Sequence, residues 1–134
     1  LSARHKLASW RESMTVPLTF QLGASHGGTE LIGGQQVAFD ATFSWDSAFV
    51  VREVFASPFK LGTDMRAMVR QFCIDRSVGL QHGASFTEIL PAMGEDDPRI
   101  PPRSIFGAIC RAGAQMEADL MPFLYAEAIG RQHG

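Results

Sequence analysis

Residues 37–46 read VAFDATFSWD. Val37, Phe39, Ala41, Phe43 and Trp45 alternate with the mostly polar Ala38, Asp40, Thr42, Ser44 and Asp46, a period of two that buries one face of an extended segment and wets the other. This strand decides the fold class, because the flanking segments must supply its pairing partners and a layer over its apolar face.

Upstream, Val16, Leu18, Phe20 and Leu22 alternate with Thr19 and Gln21 in a shorter strand that ends at the loop GASHGG, residues 23–28. Residues 29–32 form a short rung, and Gly33-Gly34 has the character of a tight hairpin turn into the long strand. Downstream, SAFVVREVF at 47–55 pairs back onto it. A three-residue loop at 46–48 sets Trp45 opposite Phe49, Phe43 opposite Val51 and Phe39 opposite Phe55, gathering large apolar pairs on one face. A two-residue loop sets Phe39 opposite Val54 and Arg52 opposite Ala41, and is the poorer register. The preferred one turns Glu53 inward near Ala41, where desolvation favours the neutral acid or demands a partner. A β-bulge would turn Glu53 outward instead.

Helices flank the strands. Ala3, Leu7, Trp10 and Met14 make one stripe over residues 2–14, an amphipathic helix that docks on a sheet face and stops before Pro17. Thr63 as cap and Asp64 in the first turn open a second helix, carried by Met65, Met68, Val69, Phe72, Cys73 and Arg76 and ended by Gly79. Its Arg66 and Arg70, one turn apart, read as a solvated side rather than an anion clamp. Ser85 and Glu88 have capping-box spacing for one or two turns stopped near Pro91. GEDDPRIPPR at 94–103 is a surface loop within the same domain. Ser104 caps the last helix, along Ile105, Ile109, Met116, Leu120 and Phe123, with a kink or break at Pro122. The expected fold is α+β: an antiparallel meander of about four strands, packed on one face by the N-terminal helix and two C-terminal helices, in a single domain spanning 1–134.

Composition narrows the function. With 134 residues, a net charge of -2, 46% hydrophobic and 19% charged residues, the chain is an ordinary globular one large enough for a core, without the basic excess of a nucleic-acid binder. No apolar run reaches the roughly 20 residues of a spanning helix, and residues 1–10 lack the apolar centre of a signal peptide. Cys73 and Cys110 fall on apolar helix faces and read as small buried thiols, so the expected setting is cytoplasmic.

Chemistry is sparsely signalled. His26 in SHGG and His82 in QHGA sit in loops beside glycine, where an imidazole is exposed and backbone can approach a ligand. A catalytic zinc wants a third ligand, with Glu30 or Asp40 nearest, and no HExxH, HxH or CxxC spacing is present. The glycines of GASHGG lack the lysine of a phosphate-binding loop, and Glu95, Asp96 and Asp97 lack the alternation of a calcium loop and read as solvated. No metal or cofactor is expected, and no catalytic residue is assigned. Gly107, Ala114 and Ala118 form a flat helix stripe that admits a close neighbour, by core packing or by a subunit contact.

No motif singles out a family. The expectation is a non-enzymatic protein-binding or assembly module, chaperone-like and a homo-oligomer, without nucleic-acid or membrane partners. Its features are an aromatic-rich hairpin, six methionines and ten phenylalanines without a catalytic motif. The alternative is a small enzyme or small-molecule-binding protein whose pocket, between sheet and helices, is lined by His26, His82 and Glu53.

Overall fold

The alternating stretch folds as the centre of an antiparallel sheet. Its strand, β4 (Gln35–Trp45), lies between β1 (Glu12–Leu22) and β5 (Val51–Ser57) in the order β1-β4-β5. The computed structural model describes residues 12–27, 29–57 and 62–133. Val37, Phe39, Ala41, Phe43 and Trp45 are all buried, and the helices cover them from one side. The architecture is α+β. Most of the helix expected over 2–14 lies outside the described residues, and residues 12–14 belong to β1 instead. Pro17 lies inside that strand, opposite Asp40. Its missing N–H is tolerable because β1 is an edge of the sheet.

The β1-to-β4 connection differs from expectation. β2 (Ser25–Gly27) and β3 (Glu30–Ile32) pair with each other, so much of the GASHGG segment is strand and the chain reverses between them. Gly33-Gly34 is therefore not the turn. Both glycines have positive φ and form the joint between this small ribbon and the main sheet. A Cβ on Gly34 would lie 2.7 Å from the Ala24 nitrogen, which is why the joint needs glycine.

Neither expected register of the β4–β5 hairpin holds. Ala41 lies opposite Ala56, Phe43 opposite Val54 and Ser44 opposite Glu53, and the pairing then slips so that Trp45 faces Val51. The cause is local. Residues 46–50 form a longer loop, in which Asp46 Oδ1 accepts from the amides of Ala48 and Val50 at 3.0 and 3.3 Å, and Phe49 takes φ 60°. The slip is a bulge that sets Arg52 apart from the ladder. Arg52 donates to Asp46 Oδ2 at 3.0 Å and to the Leu80 carbonyl at 3.0 Å. It thus brings a cation to the C-terminal carbonyls of the next helix, α1 (Thr63–Gln81), whose own last turn carries no basic residue.

α1 is capped one residue earlier than expected and ends later. Gly62 is its N-cap, Thr63 makes no capping bond, and the chain leaves at His82 and Gly83, with φ 99° at Gly83, whereas Gly79 is helical. α2 (Phe86–Met93) does use the Ser85 cap, whose Oγ accepts from the Glu88 amide, but it runs through Pro91 to Gly94. The carboxylate of Glu117 takes the amides of Phe86 and Thr87, both at 2.8 Å, so the positive end of α2 is filled from within the chain.

Ser104 caps α3 (Ile105–Gln115) by accepting from Gly107. Pro122 produces a π-turn rather than a break. In the segment Met116–Leu120 the ladder widens, Met121 N–H reaches Met116 O, and α4 (Met121–His133) follows directly. Phe86 of α2 packs edge-on against Phe43 with ring centroids 5.6 Å apart, and Phe72 of α1 stacks on Phe106 of α3 at 4.6 Å.

Candidate functional site

α1 runs along the outer edge of β5 and takes the place of a fourth strand. Ser77 Oγ accepts from the Val54 amide at 3.0 Å and donates to the Val54 carbonyl at 3.1 Å, and Gln81 Nε2 donates to the Arg52 carbonyl at 3.2 Å. One turn earlier the Cys73 thiol meets the Ala56 backbone. Four helical residues rise about 6 Å and two strand residues about 6.7 Å, so positions 73, 77 and 81 keep step with 56, 54 and 52. Small or polar side chains on this helix face close an edge that would otherwise offer bare amides and carbonyls.

This arrangement builds a groove. The side chains that β5 turns away from the core, Glu53 and Phe55, face the helix row Arg70, Ile74 and Val78 across a cleft of about 300 Å³, floored by Cys73, Ser77 and Gln81. Phe55 is 55% exposed, Ile74 45% and Val78 40%. Scattered exposed apolar residues mean little, but three lining one cleft form a patch. Arg66, Arg70, Ile74 and Val78 follow one another at four-residue intervals, two cations and then two aliphatics along one ridge. Arg66 and Arg70 make no ion pair among the described residues.

The residues singled out in sequence are dispersed. Glu53 is half-buried in this groove rather than inside the apolar face near Ala41, because the bulge sets it opposite Ser44. His82 is exposed at the end of α1 and does not line the groove. His26 is in β2, paired with Leu31, rather than in a loop, and its side chain lies outside the described residues. Gly107 is covered within the chain, since a Cβ there would lie 2.4 Å from the Glu95 carboxyl carbon. Ala114 and Ala118 line a separate cavity of about 390 Å³ with Thr87, Leu90 and Arg111.

Glu95 is not solvated as expected. It is 3% exposed, its Oε1 accepts from the Arg103 amide at 2.8 Å, and its Oε2 lies 3.2 Å from Arg111 Nη2 in an ionic contact without a directed hydrogen bond. Arg111 also donates to the carbonyls of Glu95 at 3.0 Å and Ile100 at 2.6 Å, pinning the proline-rich loop to α3. Neighbouring Asp97 is held well below the usual carboxylate range, at about 2, by hydrogen bonds from Arg99. Glu95 Oε2 apart, the donors and acceptors named here bond within the chain.

Both cysteines are free and buried. Burial pushes Cys73 from its ordinary 9.0 to about 11 and Cys110 from 9.0 to about 12. Both stay protonated near neutrality and offer no thiolate nucleophile. A folded pKa above the unfolded one stabilises below about pH 9 and is progressively lost as pH rises towards 11–12. Stability measured by urea titration is accordingly expected to fall above pH 9, and thiol reagents at pH 8 are expected to react only after unfolding. Rapid labelling of the native chain would contradict this burial.

No group of three or more His, Cys, Asp or Glu among the described residues is placed to hold a metal ion. No helix among them is long and apolar enough to cross a membrane. Comparison with protein-family models, curated proteins and solved structures finds no match to this chain.

Proposed function

We propose that this chain is a non-enzymatic protein-binding module, serving assembly or a chaperone-like role, and that the groove between α1 and β5 is its contact surface. The observation that carries the reading is the exposure of Phe55, Ile74 and Val78 on one cleft that Arg70 also lines, with no ion pair to Arg70 among the described residues. Leaving this apolar area in water is unfavourable by about 25 cal/mol per Å², and a partner that covers it recovers that free energy. The two buried, reduced thiols suit a reducing compartment, so the proposed setting is the cytoplasm.

A photo-crosslinking amino acid at Val78, expressed in the protein's native cell, tests the reading. Discrete protein adducts are expected from position 78 and not from the exposed polar position Thr63. Absence of adducts, or equal labelling from both positions, would overturn it.

A further inference from the structure

We infer that the occupant of the groove is the same groove of a second copy, related by a two-fold axis, an inference that rests on the protein-binding reading above. The groove carries opposite charges towards its two ends. α1 runs antiparallel to β5, with Ser77 beside Val54 and Gln81 beside Arg52. Glu53 therefore lies level with the turn between Ser77 and Gln81, whereas Arg70 lies about two turns earlier, past Phe55. Phe55 and Ile74 lie between the two charges, and Val78 stands level with Glu53 at the end of this apolar strip.

A two-fold axis through the middle of that strip, perpendicular to the line from Arg70 to Glu53, lays the strip on its counterpart and exchanges the two charged ends. Arg70 of each copy then comes opposite Glu53 of the other. One surface supplies both halves of each ion pair, which is the self-complementarity that an isologous contact requires. Without that exchange, arginine would face arginine. Arg70 has no ion pair of its own among the described residues, so its guanidinium is free to donate. Glu53 is already engaged within its chain, but a carboxylate accepts from more than one donor. The strip alone is smaller than the roughly 800 Å² per partner of a standard interface, so the dimer is weak, dissociating in the micromolar range and more readily at high salt.

Sedimentation equilibrium of the purified chain over a range of concentration is the test. The unsubstituted chain is expected to pass from monomer to dimer. Glu53→Arg or Arg70→Glu alone weakens the dimer about tenfold to a hundredfold by setting like charges together. The double substitution E53R/R70E restores it, and an equimolar mixture of the two single variants forms a one-to-one heterodimer. Rescue separates a contact between copies from structural damage, since a misfolded Glu53 variant would not be repaired by a second reversal. Ile74→Asp, at an exposed position, is expected to keep the native circular dichroism and abolish the dimer.

A chain monomeric at every concentration, or reversals that fail to compensate, would overturn the inference. If the Val78 adduct contains a different protein and the chain is monomeric, the dimer falls while the protein-binding reading stands. If neither adduct nor dimer forms, both fall.

Discussion

Replacing Arg111 by alanine is expected to lower the unfolding free energy by about 3 kcal/mol, the lower end of the range for removing one partner of a buried ion pair. The side chain of Glu95 is 2% exposed and that of Arg111 21%, so the carboxylate is left in a low-dielectric site while the lost guanidinium was partly wet. The carbonyls of Glu95 and Ile100 lose their donors as well. The carboxyl group cannot retreat, because it already rests on Gly107. Urea titration checks the magnitude. The paired substitution E95L/R111M is expected to cost less than Arg111→Ala alone, since it removes both charges and keeps much of the volume. An Arg111→Ala effect within experimental error would mean that the 94–104 loop is held by something other than this pair.

Phe43→Ala is expected to cost about 3–5 kcal/mol, as for other large aromatic side chains removed from a packed core. Phe43 is 0% exposed and meets Phe86 edge-on, so truncation opens a cavity between sheet and α2 and removes the aromatic contact. Phe55→Ala, in the same hairpin but 55% exposed, is expected to change stability by no more than about 0.5 kcal/mol. The contrast separates the two faces of the hairpin. Comparable losses at both positions, measured by urea titration, would contradict the register.

The reading of VAFDATFSWD transfers directly to the fold, because a period of two over ten residues depends only on strand geometry and on having one dry face. The caps at Ser85 and Ser104 were legible for the same reason, since a hydroxyl accepting from an amide three residues on is a local event. The hairpin register was not local. It depends on Asp46 folding the loop onto its own side chain and on Arg52 leaving the ladder for the Leu80 carbonyl, a group 28 residues away. Gly33-Gly34 has the composition of a turn, and only the close approach of Ala24 shows that it is a joint.

The groove was half visible. Glu53, expected to face the core unless a bulge turned it outward, lies on the groove wall opposite Ser44, and the bulge is present. The ridge Arg66, Arg70, Ile74 and Val78 is written in the sequence at four-residue spacing, but spacing alone does not say what lies beside it. What the chain alone could not reveal was that the adjacent face, Cys73, Ser77 and Gln81, is spent on the edge of β5. That expenditure sets the ridge beside Phe55.

Hydroxyl-radical footprinting of the groove, comparing the protein in its cellular milieu with the purified chain at low concentration, tests the claim of a protein contact surface most directly. Phe55, Ile74 and Val78 are expected to lose reactivity in the cellular sample, while Ile32, exposed on the small ribbon at 61%, is expected to label equally in both. Equal labelling of the groove in both samples would contradict the account.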